Sequence, residues 1–419
     1  MLNSRNTAGS RRIYTGVRAL ANWGWPVRLP AVQGREAFLY TRLRFLVVWQ
    51  VSRLNGVKRE ETEMTLVQHA LQSAVYELAD ALDANELYQQ RGWTDGLPIV
   101  PPTEEHVRKC LNAAGLAPGD IVGVESVRQR PITAEKVAIN AVMAGCLPAY
   151  LPVVVAALQA VCEEDFNLHG STASTGGSAQ FIVVNGPVRT AIGMNATHGV
   201  FGNGNRANAT IGRAVRLVLI NVLGCIPGQL DRSTLGHAGK FTFCIAEDEE
   251  DSPWPGLAQE RGVPSGTSGV TVLACEAPRQ VMNEWTHDPE EILETFAAEM
   301  RHNMLTYSIW PGNYALVLPK QLRELMVAAG WQKRDIREYL YRSARVYRRD
   351  WAAVGKGNIV ARGGGPDQEF TALRSPDDLL VVAAGGPAGG FGAVIPPWLG
   401  SRSRAVTRAI AGAEEKGEQ

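Results

Sequence analysis

Short apolar runs that end in turn-forming residues are the feature of this sequence that most restricts its fold. Phe181–Val184, Val270–Ala274, Tyr314–Leu318 and Leu379–Ala383 are each four or five mostly apolar residues long, and Asn185-Gly186-Pro187 follows the first run. Runs of this length are typical of strands buried on both faces. Helices are expected between them, so the chain is predicted to be an α/β protein of alternating helices and short buried strands.

The helices are predicted from the spacing of apolar residues and from capping residues. From Leu66 to Leu87, leucine and valine recur every three or four positions, which indicates an amphipathic helix that ends near Gly92. A strand is also expected over Phe241–Ala246. The later predicted helices are Ala134–Gly145, a helix that Pro148 and Pro152 open and that runs towards Glu164, Ile211–Leu223, Pro289–His302 and Lys320–Ala329.

The alternating pattern continues through residues 64–412 without a long linker. We therefore expect one large unit or two closely packed units, with a possible subdivision near residues 255–290. Residues 413–419 form a charged tail that is expected to fray.

The first 63 residues form a basic N-terminal extension with 11 Lys and Arg against four Asp and Glu. One interpretation is that the native protein begins at Met64 and that the extension does not belong to it. The other is a basic amphipathic arm that touches a membrane or a partner. Ala37–Val51 is too short to span a bilayer, and Arg42 and Arg44 interrupt it.

Composition excludes several classes of protein. Lys plus Arg equals Asp plus Glu at 42 each, which argues against nucleic-acid binding. Six cysteines without a C-x-x-C pair are too few for a disulfide scaffold in 419 residues, so a cytoplasmic protein is expected. No standard nucleotide-binding loop or metal-ligand spacing is present, so no metal is predicted and the cofactor stays unknown.

Glycine is enriched, at 43 of 419 residues, and it concentrates in two places. The first is the Gly- and Asn-rich stretch between Gly170 and Gly212, on either side of the Phe181–Val184 run. The second lies between Gly363 and Gly392 and includes Gly385–Gly390. Because Gly and Asn tolerate left-handed backbone, both stretches are predicted to be ordered loops, and the first is expected to present backbone amides to an anion. The Gly385–Gly390 loop follows a predicted buried strand, where α/β proteins place ligands, and it is equally consistent with a tight crossover.

The first glycine-rich stretch also carries candidate site residues. In the functional interpretation His169 and His198 flank one pocket, and either is the general base or, with a carboxylate, a ligand of a divalent ion. The alternative is a structural crossover in which the histidines cap carbonyl groups. The candidate substrate-binding residues here are Ser171, Thr172, Asn205 and Arg206, of which Arg206 could grip a carboxylate or phosphate.

A second set of candidates lies in Leu235–Glu247. His237 and Lys240 are candidate catalytic residues, and Lys240 or a histidine could activate Cys244 as a nucleophile. The alternative for Cys244 is a small buried apolar side chain. Glu247 opens a run of five acidic residues and is the one most expected to contact substrate.

The remaining candidate is Asp95, in the proline-rich loop Trp93–Thr103. Three prolines keep this loop extended. Asp95 is either a fixed catalytic acid or base or the first residue of an Asp-Gly turn.

The phrase Trp93-Thr94-Asp95-Gly96-Leu97-Pro98-Ile99-Val100-Pro101-Pro102-Thr103 resembles the hallmark of a poorly characterised bacterial family. Residues 134–152, 204–239 and 379–410 resemble it as well. Members of that family are associated with small thioredoxin-like proteins that carry a UGSC (selenocysteine or cysteine) motif. This chain has neither UGSC nor CGSC, so the resemblance implies that a reactive thiol or selenol would come from a partner.

Two functions are compatible with these patterns. The first is an enzyme that acts on a small anionic substrate through redox, lyase or hydrolase chemistry, with its site in the Gly- and Asn-rich loops. The second is a non-catalytic subunit that positions a substrate for the small thiol- or selenol-bearing partner, with the arginine-rich Lys333–Arg349 segment as its docking surface. The apolar composition also leads us to expect a homo-oligomer.

Overall fold

The computed structural model describes residues 70–398 and 403–411 in full, together with the backbone of Arg18–Ala21. The chain divides into two compact units, Met1–Glu105 and His106–Gln419. Apart from Arg18–Ala21, the N-terminal extension lies outside the described residues, and so do Met64 and the tail at 413–419.

The first unit contains two antiparallel strands, β1 (Arg18–Ala21) and β2 (Ala74–Glu77), followed by helix α1 (Ala81–Arg91). The predicted helix from Leu66 to Leu87 is therefore wrong in its first part. The reason is local: the Asp80 side chain accepts hydrogen bonds from the next turn and starts the helix only at Ala81.

The second unit begins inside helix α2 (Glu104–Ala113) and carries most of the secondary structure. Its first elements are β3 (Ile121–Glu125), β4 (Arg130–Thr133), α3 (Ala134–Ala144), α4 (Leu151–Cys162), α5 (Leu168–Ala173), β5 (Ala179–Asn185), α6 (Val188–Ala191), α7 (Arg206–Asn221), β6 (Cys244–Ala246), α8 (Leu257–Glu260) and β7 (Gly269–Cys275). The later ones are β8 (Arg279–Met282), α9 (Pro289–Thr306), β9 (Tyr314–Leu318), α10 (Lys320–Ala328), α11 (Lys333–Ser343), β10 (Arg345–Tyr347), α12 (Asp350–Ala353), α13 (Gly357–Val360), β11 (Glu369–Thr371), β12 (Leu379–Ala383), β13 (Phe391–Ile395) and β14 (Val406–Ala409).

Two mixed four-stranded sheets organise the second unit, in the strand orders β14-β7-β5-β6 and β12-β9-β13-β8. The strand directions follow the same pattern in both sheets. In the first sheet β5 has the parallel strand β6 on one side and the antiparallel strand β7 on the other. In the second sheet β9 has the parallel strand β12 on one side and the antiparallel strand β13 on the other. The sheets pack face to face, because alternate residues of both form one buried core that includes Phe181, Ile245, Val317, Val382 and Ala393.

Helices cover the outer faces of both sheets. Helix α4 packs on β7 and β14, α7 packs on β6, and a second core joins α9, α10 and α11 to the other sheet. Being covered on both sides explains why all seven residues of β5 are buried. The α/β fold of alternating helices and short buried strands is thus confirmed, and the Tyr314–Leu318 and Leu379–Ala383 strands match their predicted limits.

Candidate active site

The loop between α7 and β6 gathers polar side chains around one buried carboxylate, that of Asp231. Asp231 accepts hydrogen bonds from Arg216 Nη2 at 2.7 Å and from Ser233 Oγ at 2.5 Å, and its Oδ2 lies 2.8 Å from Lys240 Nζ. Burial acts to raise the pKa of Asp231, but the bonds from Lys240, Ser233 and Arg216 outweigh it and lower the pKa to about 2. Asp231 is therefore a permanent anion that orients its neighbours.

Ser233 and Lys240 are in hydrogen-bond contact within this loop. Lys240 Nζ donates to Ser233 Oγ at 2.7 Å, the Ser233 hydroxyl donates to Asp231, and both side chains are partly exposed to solvent. Burial lowers the pKa of Lys240, the bond to Asp231 opposes that effect, and the positive charge of Arg216 adds to it. A serine hydroxyl within hydrogen-bond reach of a lysine that a third group orients is the arrangement of Ser-Lys hydrolases.

His237 holds the loop in place. Its Nδ1 accepts a hydrogen bond from the Gly239 amide at 3.2 Å, so Nε2 carries the proton and faces the Cys275 carbonyl at 3.4 Å. Burial lowers the pKa of His237 and keeps the ring neutral. Because both nitrogens are engaged, we assign His237 a positioning role.

Glu276, the first residue after β7, adds a second carboxyl group. The Tyr307 hydroxyl donates to Glu276 Oε1 at 2.5 Å. Burial raises the pKa of Glu276, although Tyr307, Arg279 and Lys240 each act to lower it. We call Arg216, Asp231, Ser233, Lys240 and Glu276 the Lys240 cluster.

Glycine allows the loops around the cluster to approach closely. A Cβ atom on Gly177 would lie 2.9 Å from the Cα of Gly236, and both residues have positive φ. The Thr234 amide donates to the Thr175 carbonyl at 3.0 Å across the same contact. The first glycine-rich stretch thus meets the Leu235–Glu247 segment at the start of β5 and β6.

Glu247, a predicted substrate-binding residue, lies at the other end of β6 in a different environment. It is 1% exposed and accepts four hydrogen bonds, from Asn185 Nδ2, the Leu257 amide, Lys333 Nζ and the Ala383 amide, at 2.6–3.1 Å. These bonds and the charge of Lys333 lower the pKa of Glu247 against the opposing effect of burial. Since four donors already surround the carboxylate, we assign it to the protein interior.

The structure separates the two histidines that were expected to flank one pocket. His169 lies on α5, before β5, with Nδ1 3.8 Å from the buried carboxylate of Glu125. His198 lies after β5, where its ring packs against Gly386. Ser171 and Thr172 donate their hydroxyl hydrogens to the Leu168 carbonyl within α5, so they stabilise that helix.

Asn205 and Arg206 begin α7 and have local partners. Asn205 Oδ1 accepts from the Asn208 amide as the N-cap, and its Nδ2 donates to the Gly193 carbonyl. Arg206 Nε donates to the Gly145 carbonyl at 2.9 Å. Neither belongs to the Lys240 cluster.

All six cysteines are buried or half-buried, and burial raises the pKa of each thiol. Cys244 is 4% exposed and its pKa lies far above neutrality. A thiol in this state is not the thiolate that nucleophilic or redox chemistry requires.

Asp95 lies in the first unit, where its Oδ1 accepts a hydrogen bond from the Leu97 amide. Gly96, the next residue, has φ of +94°. The carboxylate thus closes the Asp-Gly turn that was one of its two interpretations.

A cavity of about 540 Å³ lies against the β12-β9-β13-β8 sheet, where the two glycine-rich stretches meet. Its floor is formed by adjacent residues of three strands, Val317, Ala393 and Gln280. His198 and Gly386 border it, and the Gly385 amide donates to the Ala196 carbonyl.

Three further findings bear on function. No family model and no curated protein sequence matches the chain. Within the described residues, no group of three or more His, Cys, Asp or Glu side chains is placed to hold a metal ion. No helix in residues 70–398 or 403–411 is long and apolar enough to cross a membrane.

Sequence patterns missed Asp231, Ser233, Glu276 and Tyr307. Ser233 and Lys240 are seven residues apart in a loop, a spacing that matches no standard motif. Glu276 directly follows β7, and Tyr307 follows α9 and reaches Glu276 through its hydroxyl, so both are distant in sequence from Lys240. The one available signal was the Asp-x-Ser order at 231–233, which is typical of a turn in which the side chain of Asp accepts from the backbone.

Proposed function

We propose that the protein is a hydrolase in which Ser233 is the nucleophile and Lys240 is its general base. The observation that carries this proposal is the 2.7 Å contact between Ser233 Oγ and Lys240 Nζ, with Lys240 held by Asp231. The lowered pKa of Lys240 supports it, because a lysine must lose its proton to act as a base.

The reaction follows from this geometry. Lys240 is charged while the anionic substrate binds and then passes one proton to solvent. The Ser233 hydroxyl turns from Asp231 to the neutral amine, which takes its proton as Oγ bonds to the acyl carbon of an ester or amide. The Lys240 ammonium then protonates the leaving group as its bond to that carbon breaks, which leaves an acyl-serine. Water then attacks the acyl carbon as Lys240 takes one of its protons, and Lys240 returns that proton to Ser233 Oγ as the bond from Oγ to the acyl carbon breaks and the acid leaves.

A small anionic substrate is favoured by the charges around the pair. Arg216 and Lys240 bring two positive charges to the one carboxylate of Asp231. Glu276 adds a second carboxyl group, and the positive charge of Arg279 acts on it together with that of Lys240. The resulting positive potential attracts anions.

The test is hydrolysis of 4-nitrophenyl hydrogen succinate, an activated anionic ester. Ser233→Ala and Lys240→Met are expected to lower kcat/KM by ~10²–10⁴-fold, the usual contribution of a general base. Lys240→Arg keeps the charge but cannot deprotonate, so it should lose kcat while KM changes little.

The matched control is Ser265→Ala, because Ser265 is exposed in a loop away from the cluster. It should hydrolyse the ester at the wild-type rate. Wild-type turnover by folded Ser233→Ala, or an active Lys240→Arg variant, would overturn the proposal.

A second candidate function is the positioning of a substrate for a small thiol- or selenol-bearing partner. Leu235 favours it: this side chain is 95% exposed two residues from Ser233, and a partner could cover it. Since the chain's own thiols are buried, redox chemistry would need the partner's thiol. Leu235→Ser should then release a co-purifying partner, whereas the hydrolase proposal expects unchanged ester hydrolysis.

A further inference from the structure

The Gly385–Gly390 loop and His198 lie outside the Lys240 cluster, and both border the cavity against the β12-β9-β13-β8 sheet, which we call the β9 cavity. The parallel strands β9 and β12 end beside it, since Pro319 and Ala384 directly follow those strands and line the cavity. Small molecules commonly bind outside the carboxyl ends of parallel strands in α/β proteins. The β9 cavity is therefore at a place in the fold where a ligand is expected.

The lining of the β9 cavity favours an uncharged ligand. None of the described residues that line it is Asp, Glu, Lys or Arg. Phe201 and Phe391 supply aromatic walls, and Val317 and Ala393 supply an apolar floor. A charged ligand would lose its solvation shell here without a carboxylate, ammonium or guanidinium partner, so the lining selects against it.

The size of the β9 cavity indicates what kind of molecule fits. A dry apolar cavity of ~150 Å³ is enough to bind benzene. At about 540 Å³ the β9 cavity is larger than that and falls within the range of small-molecule sites. Aromatic rings pack favourably against the edges and faces of other rings, and Phe201 and Phe391 offer both. A ligand with one or two fused aromatic rings therefore matches the volume and the walls.

Two polar side chains of the β9 cavity are available to a ligand. Within the described part of the chain, neither the His198 ring nor the Gln280 side-chain amide has a hydrogen-bond partner. Gln280 lies opposite Ala393, which in turn lies opposite Val317, so the Gln280 side chain is at one edge of the floor. A hydroxyl or amide group on the ligand could bond to either side chain.

Glycine brings the loops of the β9 cavity together. A Cβ atom on Gly386 would lie 3.2 Å from His198 Cδ2, so the imidazole ring rests on the backbone of the second glycine-rich stretch. The Gly385 amide donates to the Ala196 carbonyl at 2.8 Å, which joins that stretch to the first one. Because this bond holds the two loops together, the cavity is formed before any ligand binds.

We infer that the β9 cavity is a second ligand site, separate from the Lys240 cluster, for an uncharged aromatic compound that carries a hydroxyl or amide group. The walls and floor bind the rings, and His198 and Gln280 bind the polar group. No residue of the Lys240 cluster is among the described residues that line the cavity. The inference therefore goes beyond the proposed hydrolase function and does not depend on it.

Calorimetric titration of the full chain with 2-naphthol tests the inference, at about pH 8, where free imidazole is uncharged. 2-Naphthol has two fused rings and one hydroxyl group, and 2-naphthoate has the same rings with a negative charge. We expect 2-naphthol to bind, and 2-naphthoate to displace it only at concentrations at least about tenfold higher, because the carboxylate loses its solvation in the cavity. Equal displacement would overturn the preference for an uncharged ligand.

Variants of the lining locate the bound probe. Ala393→Leu fills the floor and should abolish measurable binding of 2-naphthol. Phe391→Ala changes a half-exposed wall residue, disturbs the fold less than a core change, and should weaken binding by about two- to tenfold, the value of one ring contact. The double variant His198→Leu and Gln280→Leu should weaken it by about fivefold, the value of one hydrogen bond. Unchanged binding in the double variant would overturn the role of these two side chains.

Two controls keep the test decisive. Trp310→Ala matches Phe391→Ala, because Trp310 is 53% exposed but precedes β9 at the other end of that strand. Trp310→Ala and Lys240→Met should both bind 2-naphthol like the wild type. The inference is overturned if 2-naphthol does not bind, or if Phe391→Ala and folded Ala393→Leu bind it like the wild type. Loss of binding in Lys240→Met would place the probe at the Lys240 cluster and overturn the inference as well.

Discussion

The two ends of strand β6 carry the same kind of ion pair in different settings. Before the strand, Lys240 lies 2.8 Å from Asp231, and after it Lys333 lies 2.9 Å from Glu247. The Lys333 side chain is 3% exposed and Glu247 has four donors, whereas the Lys240 side chain is 14% exposed and also contacts a serine hydroxyl.

This difference separates a structural charge from a reactive one. Lys333 and Glu247 are enclosed and bonded to other protein groups, so no substrate atom can reach them. Lys240 is partly exposed, and burial lowers its pKa, which is the direction that the proposed proton exchange with Ser233 requires. Whether a titratable group at a strand end can take part in chemistry therefore depends less on its position than on whether other protein groups already fill its hydrogen-bonding capacity.

The largest expected effect is on the enclosed pair. Lys333→Met leaves Glu247 charged and buried, which should lower the free energy of unfolding by about 3–5 kcal/mol. The matched control is Lys320→Met. Lys320 pairs with Asp251 at the surface, where water screens both charges, so this variant should lose much less stability. Urea denaturation measures both. Equal losses in the two variants would show that enclosure is not what distinguishes the two ends of β6.

A smaller effect is expected in the acid dependence of stability at the Lys240 cluster. The folded pKa of Asp231 is about 2, below its ordinary value of 3.8, so its contribution is present above pH 3.8 and is lost as the pH falls through about 2. Asp231→Asn should remove this contribution, so the free energy of unfolding of the variant should fall less between pH 5 and pH 2. The measurement is the free energy of unfolding from pH 5 to pH 2, and parallel wild-type and variant curves would contradict the assignment.

The smallest expected effect concerns Glu276. Its bond from the Tyr307 hydroxyl acts to lower a pKa that burial raises. Tyr307→Phe removes that bond, so the pKa of Glu276 should rise further with little change in stability. Carbon-13 NMR of the labelled carboxyl group measures this shift. A lower pKa in the variant would mean that another group controls the carboxyl.

Local patterns were sufficient to predict much of the fold. Continuous apolar runs mark strands covered on both faces, and Tyr314–Leu318 is a case in which length and composition agree with the structure. The helix expected from Leu66 failed because its leucine spacing is also compatible with a short strand followed by a capped helix. The Asp80 cap decided between them.

The candidate site was harder to predict because it depends on packing between distant segments. Lys240 and His237 were chosen from their own segment, and the structure places both at one site. Glu247 was chosen for its position at a strand end, but its partners Lys333 and Ala383 are 86 and 136 residues away. Contacts of that separation leave no local pattern in a single sequence.

The central claim is that Ser233 is made nucleophilic by Lys240, and covalent labelling tests it most directly. The wild-type chain is treated with a fluorophosphonate, and the adduct is located by peptide mass spectrometry. We predict an adduct on Ser233 that forms faster as the pH rises towards the lowered pKa of Lys240, and at least ~10²-fold more slowly in Lys240→Met. An unlabelled Ser233, or labelling at the same rate in Lys240→Met, would contradict the claim.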